Sequence, residues 1–266
     1  MHPGTPLDDV EYLASSDNRV EVLEALAVEP LTRTALHERT GISQPTLGRV
    51  LEGFEERCWI RKVGREYRIT RLGSLLTEEF GRLLGTVETI QRLAVLGPRL
   101  PTDQMNFDFR EFRDATVTLP RPPDVFAHIR RVEELVQGAS TVRTLTGNMY
   151  LDAIPKQRDL VLGREQIQEV IISGAAFDVA LSYPTTVATM REVLASENMA
   201  VYRYDGEVTF SLGLMDDVAV IVPYDDHSAP CALIETTNET VRAWVTATLD
   251  EFRERSNRVT VEDLPA

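Results

Sequence analysis

The feature that most restricts this chain is a change of hydrophobic period within residues 31–70, where two short helical runs give way to two strand-like runs. Thr32 stands at the N-cap of a first helix, with Ala35, Leu36 and the aliphatic stem of Arg39 on its inner face. Gly41 follows Thr40 as the residue that takes left-handed backbone after a helix. Ser43 is placed to cap the next helix, and Pro45 falls in its first turn, where a missing N–H does no harm. Leu47, Val50, Leu51 and Phe54 recur at i, i+3, i+4 and i+7, which predicts one buried stripe. The other face then shows Gln44, Thr46, Gly48, Arg49 and Gly53. After Cys58, the residues Trp59, Ile60 and Val63 alternate with Arg61 and Lys62. Gly64-Arg65-Glu66 reads as a turn, and Tyr67-Arg68-Ile69 alternates back. Helix, tight turn, second helix and two-stranded wing together make a winged helix-turn-helix, a unit that docks in a DNA major groove.

The exposed residue types fit that use. Gln44 and Arg49 are the side chains that read adenine and guanine edges, with Ser43 and Thr46 beside them, and small residues allow close approach. Arg61, Lys62, Arg65 and Arg68 on the wing suit phosphates. The chain as a whole is acidic, with 42 Asp and Glu against 28 Lys and Arg, a balance that ordinarily argues against nucleic acid. The local balance answers this: residues 31–73 hold nine bases and five acids. A winged helix that engages protein is the other reading of the same pattern.

At 266 residues the chain has room for two domains. Residues 1–7 read as a disordered lead and Asp8–Ala14 as a short helix. Asp17-Asn18 caps a helix with Val20, Leu23, Leu26 and Ala27 inward. Thr70 caps a long helix running to about Leu96, with Leu72, Leu76, Phe80, Leu83, Val87, Ile90 and Ala94 spaced by threes and fours. Such a seam asks for a partner, and a second copy of the chain is the expectation. Domain one is thus expected over 8–96, a linker or docking segment over 97–113, and an α/β effector or assembly domain over 114–266. Phe107, Phe109 and Phe112 are too apolar for a free linker and are expected to pack on a domain surface.

In the second half, strands are expected at 115–119, 141–146, 169–173, 200–204, 208–212, 218–222 and 231–235, with Asp205-Gly206 as a hairpin turn. Helices are expected from Asp124 to Gly138, at 152–162, 175–181 and 185–196, and from a cap at Asn238 to about Arg255. The fold class is therefore α+β: an N-terminal winged helix-turn-helix with a long linker helix, then a mixed α/β sensor-like domain.

Two stretches carry a family resemblance. Ile42-Ser-Gln-Pro-Thr-Leu-Gly-Arg-Val-Leu51, with Trp59-Ile-Arg61 and Tyr67-Arg-Ile-Thr-Arg-Leu-Gly73, resembles the winged helix of archaeal transcriptional regulators. Phe210-Ser-Leu-Gly-Leu214, Asp217-Val-Ala-Val-Ile-Val222, Ile234-Glu-Thr-Thr-Asn-Glu239 and Trp244 resemble the C-terminal half of a family named after a regulator of methanogenesis and filament formation. The excess of acids, with only Lys62 and Lys156 among the lysines, resembles the proteomes of salt-loving archaea. The resemblance implies a regulator that binds double-stranded DNA, with a sensor or assembly module behind it; the helix seam adds the homodimer, and the lack of a membrane span or secretory signal adds a cytoplasmic place.

No phosphate-binding Gly-rich loop and no Gly-x-Ser-x-Gly elbow is present. His2, His37, His128 and His227 have no metal spacing, and Cys58 and Cys231 read as small buried apolar residues. No run of eighteen apolar residues suggests a membrane span, and no secretory signal is seen. Neither an enzyme nor a cofactor is expected; His128-Ile-Arg130 is the nearest approach to the catalytic His-x-Lys of phospholipase D. A small anionic metabolite is the expected effector, at the carboxyl ends of the strands. The candidates are Arg143, Thr144, Thr146, Asn148, Tyr150 and Ser182, with Arg203 as a second cation. The competing reading is an architectural protein whose C-terminal domain only oligomerises.

Overall fold

A computed structural model describes residues 5–265, which divide into two compact units after Val87. In the first unit, α1 (Pro6–Ala14) begins within the stretch expected to be a disordered lead; residues 1–4 of that stretch lie outside the described residues. Thr5 and Asp8 form a capping box, and Pro6 sits in the first turn, so the start is locally encoded. Helix α2 (Asp17–Val28) has Ser16 at its N-cap rather than Asp17-Asn18, and buries Val22, Leu23, Ala25 and Leu26 while Ala27 is exposed.

Strand β1 (Leu31–Thr32) leads into α3 (Arg33–Thr40), where Thr32 Oγ1 accepts from the Ala35 amide at 3.2 Å. Gly41 ends α3 at φ 69°, the left-handed position a glycine fills without a Cβ clash. Helix α4 (Gln44–Glu56) follows, then β2 (Ile60–Val63) and β3 (Glu66–Ile69), joined by a turn at Gly64-Arg65. The small sheet runs β1-β3-β2, with Leu31 opposite Tyr67 and Arg61 opposite Arg68. The predicted stripe is the core: Leu47, Val50, Leu51 and Phe54 are all buried, with Trp59, Ile60 and Tyr67 packed beside them. Gly53 is not on the open face. It is buried, and a Cβ there would stand 2.1 Å from the Tyr12 hydroxyl of α1. Cys58 is likewise exposed rather than buried, at φ 59° in the turn between α4 and β2.

Thr70 caps α5 (Arg71–Ala94) by accepting from the Gly73 amide at 3.1 Å. Phe80 is buried and Leu76 half-buried against the winged core. Leu72, Leu75, Leu83 and Val87 keep between 39 and 64 % of their surface in solvent, so the unit leaves an apolar face of this helix uncovered.

The second unit is built on an eight-stranded mixed sheet. Its strands are β4 (Thr116–Thr118), β5 (Thr141–Thr146), β6 (Ile167–Ser173), β7 (Met199–Tyr204), β8 (Phe210–Met215), β9 (Val218–Pro223), β10 (Leu233–Thr236) and β11 (Asn257–Val259). Their spatial order is β11-β7-β6-β5-β8-β9-β10-β4, with β5, β6 and β7 parallel and every other pairing antiparallel. Asp205-Gly206 therefore makes no hairpin: after β7 the chain crosses β6 and β5 before pairing β8 with β5. Helices α6 (Ala127–Gly138) and α7 (Ala153–Gly163) cover one face, together with α8 (Gly174–Leu181) and α9 (Pro184–Leu194). Phe126 rather than Asp124 stands at the N-cap of α6, and Val125 is exposed.

The opposite face carries α10 (Glu239–Glu254), capped by Asn238 Oδ1 from the amides of Thr240 and Val241 at 2.9 and 3.2 Å. Val241, Trp244, Val245, Leu249 and Phe252 are its buried stripe. Residues 97–113 dock on this core, as expected, with Leu100, Met105 and Phe112 buried and Phe107 and Phe109 packed against it. The Phe107 ring meets Phe112 and Trp244 at 5.3 and 5.6 Å, and Trp244 Nε1 donates to the Gln104 carbonyl at 2.8 Å.

The β8–β9 turn supplies a pH test. Asp216, at φ 47°, accepts from the amides of Ser140 and Thr141 at 3.0 and 2.8 Å, and these bonds hold its carboxyl below the usual range. Its contribution to stability is present above the unfolded value near ~3.9 and is lost as pH falls through the lower folded one. Asp216→Asn, which tolerates the same backbone, is expected to flatten the fall in urea midpoint between pH 5 and 2.5. An unchanged pH profile counts against this role.

Candidate functional site

On the helix-turn-helix, Ser43 and Arg49 are exposed, and Gln44 and Thr46 are half-exposed, all on the side of α4 away from its buried stripe. Ser43 sits at the N-cap, but its hydroxyl bonds Thr46 Oγ1 at 2.9 Å rather than a backbone amide. Gln44 Nε2 donates to the Arg33 carbonyl at 3.4 Å, and the Arg33 guanidinium in turn donates to the Gln44 carbonyl. Gly48 gives that guanidinium room: a Cβ there would lie 3.1 Å from Arg33 Nη2. The glycine thus places a cation against the open face of α4, a role spacing alone does not suggest.

On the wing, Arg61, Lys62, Arg65 and Arg68 are exposed. Arg68 pairs with Glu66 at 3.0 Å, and Lys62 lies 5.4 Å from the Tyr67 ring centre. Arg49, Arg61 and Arg65 make no hydrogen bond or ion pair among the described residues. Arg39 and Arg57, by contrast, are held by Glu29 and Asp9 at 2.9 and 3.0 Å. Arg57 and Arg19 also stack on the two-helix anchor Tyr12, at 3.8 and 3.9 Å from its ring centre.

The second unit holds a cavity of about 200 Å³ between α6, α7 and the sheet. Thr144 and Thr146 in β5, and Asn148 and Tyr150 just after it, line the cavity; Arg143 and Ser182 do not. The reason for Arg143 is the two-residue period of a strand: Thr144 and Thr146 face α6 and α7, so Arg143, one residue before Thr144, faces the other way. There it pairs with Glu169 and with Asp250 of α10, both at 2.7 Å. Ser182 ends α8, where its hydroxyl donates to the Val179 carbonyl at 2.6 Å. Arg203 is bound to Asp178 and Asp205 at 2.5 and 2.8 Å. Neither arginine is free to meet an anion.

The cavity residues sequence reasoning missed come from β8, α6 and α7, among them Ser211, Gly213, Ile129 and Ile154. Ser211 and Tyr224 share a hydrogen bond, the Gly147 amide donates to Tyr224 at 2.9 Å, and Ser211 donates to Thr146 at 3.3 Å. Burial pushes the Tyr150 phenol up to about 12, with Tyr224 adding to the effect. His128 is buried on α6 with Nε2 against the Pro230 carbonyl at 3.1 Å, and burial holds its imidazole below the ordinary range.

Among the described residues, no group of three His, Cys, Asp or Glu is placed to hold a metal ion, and no helix is long and apolar enough to cross a membrane.

Comparison with known proteins gives two domain matches. Residues 7–92 match the model of the HVO_A0261 N-terminal domain, and residues 125–255 that of the middle domain of the methanogenesis regulatory protein FilR1. A comparison with curated protein sequences found no match. Among solved structures, the chain is similar to TrmBL2, described as an archaeal chromatin protein with a novel mode of DNA binding. That likeness has 12 % identity and a TM-score of 0.44, over 96 % of this chain and 100 % of that one. It is also similar to MepR, a transcription regulator of a Staphylococcus aureus multidrug efflux pump (20 % identity, TM-score 0.30, 37 % of this chain and 77 % of that one). A phospholipase D family member from Salmonella typhimurium is similar at 8 % identity and TM-score 0.40, over 55 % of this chain and 99 % of that one. The two domain matches, one on each part of the chain, support a regulatory protein whose second part is similar to the middle domain of FilR1.

Proposed function

We propose that the chain is a sequence-specific DNA-binding regulator that acts as a homodimer in a salt-rich cytoplasm and whose second unit senses a small molecule. The observation that carries the DNA reading is the set of unpaired cations Arg49, Arg61 and Arg65. Arg71, Arg113, Arg121 and Arg258 are also exposed without a side-chain partner among the described residues, so it is the grouping of Arg49, Arg61 and Arg65 on one helix face and its wing that counts. Free guanidinium groups on a helix face and a wing suit base edges and phosphates respectively. In this reading α4 enters the major groove and the wing lies on the flanking backbone. No catalytic step is part of it; His128 faces a carbonyl rather than an acid or a second histidine.

The test is fluorescence anisotropy of the full chain on tiled fragments of the DNA upstream of its own coding region, in molar KCl, since phosphate contacts weaken steeply with salt. Saturable preference for one fragment is the expected result. Equal, salt-sensitive binding to every fragment would favour an architectural protein instead, and absence of binding at any salt would favour a protein-binding winged helix.

The dimer reading rests on the uncovered face of α5, since an apolar stripe of this kind asks for a partner. Leu83→Glu with Val87→Glu, one turn apart on that face, is expected to give a monomer by light scattering, with weakened operator binding as the second half-site is lost. A variant that stays dimeric would move the interface elsewhere.

A further inference from the structure

The cavity of the second unit carries its own evidence about what it takes. We propose that it receives an uncharged, largely apolar molecule about the size of one substituted ring, rather than an anionic metabolite. This rests on the reading of the second unit as a sensor and names the ligand class for that site.

Charge comes first. Among the described residues, Glu133 and Lys156 are the only charged side chains lining the cavity, and they pair with each other at 2.9 Å. An anion would have to take Lys156 from Glu133 and leave that carboxylate unpaired at the wall. Arg143 and Arg203, the cations expected to meet an anion, are each held by two acids elsewhere. A charge brought into an apolar site without a partner is strongly disfavoured, whereas a neutral ligand meets no such barrier.

The walls agree. Ile129 and Val132 of α6, Ile154 and Leu160 of α7, and Ile172 and Val222 of the sheet surround the space. The polar groups at its strand end are largely spent on one another: Ser211, Tyr224, Thr146 and the Gly147 amide form a closed set of hydrogen bonds. Gln137, Thr144, Tyr150 and Gln157 line the cavity with side chains that have no hydrogen-bond partner among the described residues, and so can meet a hydroxyl or carbonyl on an otherwise apolar ligand.

Size sets the scale of the part held inside. Dry apolar cavities of about 150 Å³ take benzene, so about 200 Å³ suits a ring with one short substituent. Gly213, in the middle of β8, forms part of the floor. A Cβ there would approach the Met215 methyl at 2.8 Å and Thr144 Cγ2 at 3.6 Å, so a larger residue would project into the space the ligand needs. A second cavity of about 60 Å³ shares Met149, Ile154 and Gln157 with the first, which leaves α7 with open space on both sides. Filling the larger cavity should therefore steady α7.

The experiment titrates the full-length protein with toluene, benzyl alcohol and benzoate at constant KCl, by calorimetry and by hydrogen exchange of the α7 amides. Toluene and benzyl alcohol are expected to bind and to slow exchange over residues 153–163, with benzoate at least ~10-fold weaker, a difference of about 1.4 kcal/mol. Gly213→Val should abolish this binding. If its circular dichroism shows misfolding, Met149→Trp fills the same space from the mouth. Benzoate binding as tightly as toluene would overturn the ligand class while leaving a sensor. Failure of all three would overturn the cavity as a ligand site and leave the DNA reading, which anisotropy tests separately. Binding that survives both filling variants would place the ligand elsewhere and overturn the proposal.

Discussion

Replacing Phe54 by alanine is expected to destabilise the first unit by about 3–5 kcal/mol, the range for deleting a large buried aromatic side chain. Phe54 is fully buried at the last turn of the stripe on α4. Its ring lies 6.3 Å from Tyr12 of α1 and 5.6 Å from Trp59 at the start of the wing, and its carbonyl accepts from the Trp59 amide at 2.9 Å. Truncation therefore opens a hole where three elements converge. Little can collapse into it, because the neighbouring Tyr12 ring is pinned between Arg19 and Arg57. A domain of this size has about 5–15 kcal/mol in total, so the loss takes a large share. Urea melts followed by tryptophan fluorescence suit the measurement: of the two tryptophans, Trp59 reports the first unit and Trp244 the second. The Trp59 transition should move while the Trp244 transition stays. A loss under ~1 kcal/mol would mean that Phe54 is not the keystone of this core.

The parts of the fold that were legible are those written in local periodicity and caps. The stripe of α4, the stripe of α10, the caps at Thr32, Thr70 and Asn238 and the left-handed Gly41 are all present as the sequence spells them. Local signals say less about partners. Asp205-Gly206 has the composition of a hairpin, yet β7 is parallel to β6, and no dipeptide encodes which strand a chain will join next. The three phenylalanines of residues 97–113 were visible as packing residues. What they pack on, and that Phe112 alone of the three is fully buried, depends on partners such as Trp244, more than a hundred residues away. The cavity was half legible for a similar reason. Alternation along β5 separates Thr144 and Thr146 from Arg143 once the buried faces are known, but both faces of a central strand are covered and sequence alone does not say which one holds the space. Gly48 and Gly53 carried the least signal: one makes room for Arg33 and the other for Tyr12, and both contacts are tertiary.

Arg49→Ala should leave folding intact and remove sequence preference. Its side chain is exposed and has no partner among the described residues, so the expected change in stability is within about 0.5 kcal/mol. A bidentate contact to a base edge is worth about 1–3 kcal/mol, which predicts a loss of about 5- to 150-fold on the preferred fragment and little change on the others. Arg65→Ala, at the wing turn, should behave differently. A phosphate contact carries no sequence information, so affinity should fall on every fragment alike, and the slope of log K against log salt should drop by about one. The two variants separate reading from gripping within one assay. Were Arg49→Ala to leave footprints unchanged while Arg65→Ala altered the preferred sequence, the assignment of α4 to the major groove would fail, and the wing would be the reading element.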